Sequence, residues 1–102
     1  MNIIIKTTNI QIDESLKQWV EMRLKPLEKL EKSLKEKDVE IFVEIGKTTK
    51  GQRKGEIFRA EAQIRLPGKS IRVESVTNDL RKSVNEIKNK LQREIIEYKE
   101  KK

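Results

Sequence analysis

The chain ends in "NDLRKSVNEIKNKLQREIIEYKEKK", which carries eight Lys or Arg against five acids. Read as a helix and advanced by about 100° per residue, this stretch sorts into three faces. Leu80, Val84, Ile87, Leu91, Ile95 and Tyr98 share a narrow apolar arc. Next to it lie Arg81, Lys88, Gln92, Asn85, Asn89, Lys82, Arg93 and Lys99, an arc with no carboxylate up to residue 99. Asp79, Glu86, Glu94 and Glu97 gather on the remaining side, with Lys90 in their midst. Cations interleaved with amides suit phosphates and sugar hydroxyls, because the cations neutralise charge while the amides hydrogen-bond. The plainer alternative is a solvated face laced with i,i+4 ion pairs such as Glu86–Lys90. The wheel alone leaves both open.

Other chemistry is thinly represented. The sequence has neither His nor Cys, which removes the commonest general base, thiolate metal sites and disulfides. There is no nucleophile–base pair, no phosphate-cradling glycine loop and no metal-ligand spacing. Close carboxylates such as Asp13 and Glu14 stand where a helix begins, and capping accounts for them. The expectation is a protein that is not an enzyme and takes no cofactor, metal or small-molecule substrate.

The elements that position the basic helix can be read from periodicity. "NIIIKT" is a β-branched first strand. Asp13 caps a helix opening "ESLKQWVEMRL", with Leu16, Val20, Leu24 and Leu27 on one stripe and Trp19 beside it. Pro26 predicts a kink or a restart near Lys25, since proline removes one backbone hydrogen bond. Leu27, Leu30 and Leu34 hint at a coiled coil, but a helix end covering the core explains them better. "VEIFVEIG" alternates, with Val39, Ile41, Val43 and Ile45 facing one way. "KTTKGQRKG" reads as a mobile basic loop over residues 46–55. "EIFRAEAQIRLPGKSIRVESV" is a hairpin turning at Pro67-Gly68, and the small Ala60 and Ala62 predict a helix packed close above it. The last helix starts between Thr77 and Asp79. The fold class is therefore α+β: a β-α-β-β-β-α two-layer sandwich, with a four-stranded antiparallel-type sheet and both helices on one face.

At 102 residues, with 34% hydrophobic and 40% charged, the chain has a lean core under a charged shell. It reads as a single domain spanning residues 1–102. Of the net charge of +7, residues 46–55 contribute +4 and residues 77–102 contribute +3. Localised excess speaks of a partner more than the total does. The apolar start "MNIIIKTTNIQID" is too short for a signal peptide or a membrane span. The cytoplasm is the default location, and membrane binding is not expected.

The kind of polyanion follows from the layout. Both helices must cover the same sheet face, so neither stands free to enter a DNA major groove. The open sheet face offers Ile57, Arg59, Glu61, Gln63 and Arg65, and only Phe42 as an aromatic platform for single-strand stacking. A flat basic helical surface suits RNA of complex shape, read through phosphates and 2′-hydroxyls.

Three stretches, "IDESLKQWVEMRLKPLEKL", "FRAEAQIRLPGKSIRVES" and "NDLRKSVNEIKNKLQREIIEYKEK", together cover most of the chain. In this order, with the β-α-β-β-β-α pattern, the sequence resembles the short ribosome hibernation-promoting factors, also called ribosome-associated inhibitors or ribosomal subunit interface proteins. The resemblance implies a non-enzymatic translation inhibitor bound in the mRNA and tRNA channel of the small ribosomal subunit. Its helices would lie against 16S ribosomal RNA, idle ribosomes would be preserved, and the protein would be a monomer off the ribosome. The family's basic positions fall on Lys17 and Arg23 in the first helix and on Lys90, Arg93 and Lys99 in the last. Where the family often has a tyrosine this chain has Arg81, and where an aspartate is usual it has Asn85. A position often basic is Glu97. Arg81 and Lys82 from the acid-free arc therefore join the expected RNA-binding set, the contacts being redistributed. Longer members carry a second domain that pairs ribosomes, and a chain stopping at Lys102 is not expected to pair them by that route.

Two other readings remain open on the sequence: a general RNA- or DNA-binding module with a basic helical face, and a protein-interaction domain docking through Trp19 and its neighbouring leucines.

Overall fold

A computed structural model describes residues 3–34, 39–48 and 57–101. The elements in chain order are β1 (Ile3–Thr8), α1 (Glu14–Lys32), β2 (Ile41–Lys47), β3 (Phe58–Leu66), β4 (Lys69–Thr77) and α2 (Leu80–Glu100). The strands form one sheet in the order β1-β2-β3-β4. Period-two alternation decides which side of each strand is apolar, and the structure buries that side. Ile41, Val43 and Ile45 of β2, Ala60, Ala62 and Ile64 of β3, and Ile71 and Val73 of β4 all point into the core. Val20, Leu24 and Leu27 of α1 and the predicted apolar arc of α2 close the core from the other side.

The sheet is mixed, which corrects the antiparallel expectation for one pair. β1 and β2 run parallel, in register from Ile3↔Ile41 to Thr8↔Gly46, while β2–β3 and β3–β4 are antiparallel. The cause is α1 itself. A helix crossing the sheet face returns the chain to the end where β1 began, so β2 must start alongside the start of β1.

The second correction concerns the restart expected at Pro26. α1 continues as one helix from Glu14 to Lys32 with Pro26 inside it. Leu24 and Leu27, on either side of the proline, are fully buried, so breaking the helix would unseat both. Pro26 is itself exposed, on the outer side where a carbonyl left without an intrahelical donor can reach water. Leu30 and Leu34 pack against the core edge, as a helix end covering the core should.

Helix starts and turns follow local chemistry. Asp13 Oδ1 accepts from the Leu16 amide at 2.8 Å, and Asp79 Oδ1 accepts from the Arg81 amide at 2.9 Å, each carboxylate capping its helix. Pro67 and Gly68 link β3 to β4, with Gly68 at φ +76°, the left-handed value a type II turn requires at its second central residue. α2 packs over β3 and β4, directly above the small Ala60 and Ala62. Beneath the start of α2 the buried Ser83 hydroxyl donates to the Phe58 carbonyl at 3.1 Å. The expected basic loop lies for the most part outside the described residues.

Candidate nucleic-acid interface

α1 and α2 run side by side and parallel, joined across their outer surface by three polar contacts. The Arg81 guanidinium stands 5.3 Å from the centroid of the Trp19 ring. Arg23 Nε donates to Asn85 Oδ1. Lys99 Nζ donates to Ser33 Oγ at 2.7 Å. Each contact joins a residue of α1, or of the turn that ends it, to one about the same distance further along α2, so the pair is fixed in register.

These contacts sort the expected site residues. Arg23, Arg81 and Lys99 line the seam between the helices, held by a partner yet exposed. Lys82 and Arg93 lie opposite the buried stripe of α2, exposed and outside the ion pairs and side-chain hydrogen bonds of the described residues. Lys17 and Lys90 diverge from this group. Lys17 is one turn before Glu21, which lines a groove against Ile3 and Ile5 of β1, so it belongs to the β1 flank. Lys90 is on the opposite flank, where its Nζ donates to the Glu74 carbonyl of β4 at 2.9 Å.

Phase around α1 also brings forward two cations that the sequence reading passed over. Lys25 and Lys29 are exposed on the side of α1 away from its buried stripe. They share the outer surface with Lys82 and Arg93. The signal was present in the first helix's own wheel, as positions opposite Val20, Leu24 and Leu27.

The opposite surface of the molecule treats charge differently. On the open sheet face Arg59 Nη2 contacts Glu61 Oε2 and Glu74 Oε2, both at 2.5 Å, and Arg72 pairs with Glu61 as well. Thr8 Oγ1 donates to Glu44 Oε2 at 2.6 Å. Burial pushes the Glu61 carboxyl up, but hydrogen bonds from Arg72 and Arg59, together with their charges, outweigh it and hold Glu61 below its ordinary value. Burial likewise pulls Arg59 down, and the bonds and charges of Glu74 and Glu61 raise it above its ordinary value. These guanidiniums are committed to carboxylates within the sheet, whereas Lys25, Lys29, Lys82 and Arg93 are not.

Among the described residues no cluster of three or more His, Cys, Asp or Glu could hold a metal ion. Every buried side-chain nitrogen or oxygen among them has a hydrogen-bond partner. No helix among the described residues is long and apolar enough to cross a membrane. What the arrangement offers is a flat, cationic, amide-bearing helical layer, suited to a polyanion's phosphates and hydroxyls.

Comparison with solved structures finds the same architecture elsewhere. The Protein Y N-terminal domain of Thermus thermophilus superposes with a TM-score of 0.66 at 25% identity, covering 96% of this chain and 99% of that one. A ribosomal subunit interface protein from Coxiella burnetii superposes with a TM-score of 0.69 at 18% identity, covering 97% and 98%, a likeness of fold. A search of the curated proteins finds no significant match. The family model described as "Sigma 54 modulation protein / S30EA ribosomal protein" matches residues 3–102, and the chain belongs to that family.

Proposed function

We propose that the protein is a non-enzymatic, ribosome-binding translation inhibitor. It occupies the mRNA and tRNA channel of the small subunit, lays its helical layer on 16S ribosomal RNA and preserves idle ribosomes. The observation that carries this reading is the division of charge between the two surfaces. On the sheet face Arg59 and Arg72 are paired internally while Lys6 and Arg65 stand outside the described ion pairs, whereas Lys25, Lys29, Lys82 and Arg93 on the helical face are all exposed and outside them. Membership of a family described by a ribosomal protein supplies the class of partner, and the superposition on the Protein Y domain supports the shared fold. Residues 1–102 act as one ribosome-binding domain, monomeric off the ribosome and working in the cytoplasm without a cofactor.

Within that reading the RNA-binding set divides into two groups. Lys82 and Arg93, joined by Lys25 and Lys29, bind phosphates from the centre of the surface. Arg23, Arg81 and Lys99 bind from the seam while also fixing the helices to each other. Lys17 and Lys90 reach RNA only if it wraps the flanks. Occupation of the channel is tested by competition. Small subunits carrying labelled mRNA and tRNA should lose both labels as the protein is titrated in. Ternary complexes that retain both labels at saturation would place the protein elsewhere on the subunit.

A further inference from the structure

Along the C-terminal half of α2 runs an open trough of about 540 Å³, lined by Lys88, Asn89, Gln92, Arg93, Ile96 and Glu97. Its composition differs from that of a phosphate cradle. Glu97, and Glu100 beyond it, would repel a phosphate. The two amides present donors and acceptors together, and Ile96 is an apolar surface left 40% exposed. Neither Arg93 nor Glu97 is committed to an ion pair with a described residue, so both side chains are available.

We infer that this trough is a subsite for an unpaired nucleobase carrying an exocyclic amino group. The inference deepens the RNA-binding reading above and rests on it. Asn and Gln amides can pair bidentately with an adenine's amino group and ring nitrogen, and a carboxylate accepts from a base amine. Arg guanidinium planes stack on splayed-out bases, and Ile96 gives such a base an apolar surface to lie on. Adenine, cytosine and guanine carry the amino group; uracil, with two carbonyls, offers Glu97 no amine. The resemblance expected a cation at position 97, and the carboxylate there acquires a role: it selects amino-bearing bases, while Arg93, stacked on the base, still meets the neighbouring phosphate.

The test is titration of the full chain with adenosine and uridine RNA hexamers, followed through backbone amide resonances across a salt series. The adenosine hexamer should bind about fivefold more tightly or better, with the largest shifts in residues 88–97. Gln92→Ala should narrow that preference while leaving the salt slope unchanged, since no charge is removed. Glu97→Gln should tighten uridine binding by relieving repulsion and so narrow the preference from the other side. Arg93→Ala should reduce the slope for both hexamers by about 0.7. Equal affinity for the two hexamers, including no binding of either at millimolar concentration, overturns the subsite, as does a preference that survives Gln92→Ala. Saturable binding to small subunits, measured on the same preparations, separates the outcomes. If it persists without base preference only the subsite falls, and if it is absent the ribosomal reading falls with it.

Discussion

Arg81 and Lys82 are neighbours in the chain and would both be expected to lose an RNA contact on substitution, yet their surroundings separate them. Lys82 projects outward without a side-chain partner among the described contacts, so Lys82→Ala should lower the salt slope of RNA binding by about one phosphate's share and leave the melting temperature in place. Arg81 lies over Trp19, and an exposed cation–π contact contributes about 0.5–1 kcal/mol. Arg81→Ala should therefore reduce the slope and the melting temperature together, which parallel salt titrations and thermal melts can check. Glu61 gives a prediction in pH. Its folded value is depressed, so it contributes stability above its unfolded value, and that contribution is lost as pH falls through the folded one. Denaturant melts across the acid range should show Glu61→Gln with a flatter loss of stability than the wild type. A wild-type acid profile indistinguishable from the variant's would remove Glu61 from the account.

At the scale of elements, the β1–β2 pair and the proline in α1 show what packing decides. A Cβ on Gly46 would sit 2.2 Å from the Thr8 carbonyl oxygen, backbone that cannot yield without parting the two strands. Gly46→Ala should cost about 1–3 kcal/mol, measurable by chemical denaturation, and a variant as stable as the wild type would contradict the close approach. Pro26 leaves α1 short of a backbone donor, so Pro26→Ala should raise stability by up to ~3 kcal/mol. Element order, the buried stripes, the Asp13 cap and the Pro67-Gly68 turn were legible in the sequence because each is fixed locally, by period or by a single side chain. The parallel pairing was legible only through its connection: a strand–helix–strand unit implies it, while alternation within β1 and β2 says nothing about direction. The unbroken α1 was hidden because a proline's effect on its own helix is local, whereas the burial of Leu24 and Leu27 that outweighs it is tertiary. The acid-free arc was legible as a face, but its division into seam and outer surface was not. Arg23–Asn85 and Lys99–Ser33 join positions more than 60 residues apart, and no single wheel contains both partners.

For the whole molecule, the described chain is a slab with extents of 45 × 28 × 17 Å, with the helices on one broad face and the open side of the sheet on the other. In the proposed complex RNA meets the helical face. The most direct measurement is co-sedimentation with purified small subunits, large subunits and naked ribosomal RNA across a salt series. It should compare the wild type, a helical-face variant carrying Lys82→Glu and Arg93→Glu, and a sheet-face control carrying Arg65→Glu. The account predicts saturable wild-type binding to small subunits near one copy each, outlasting binding to naked RNA as salt rises. That binding should be lost in the helical-face variant and kept in the sheet-face control. Equal binding to all three targets, lost together as salt rises and weakened alike by both variants, would contradict it and leave a general polyanion binder on the same fold.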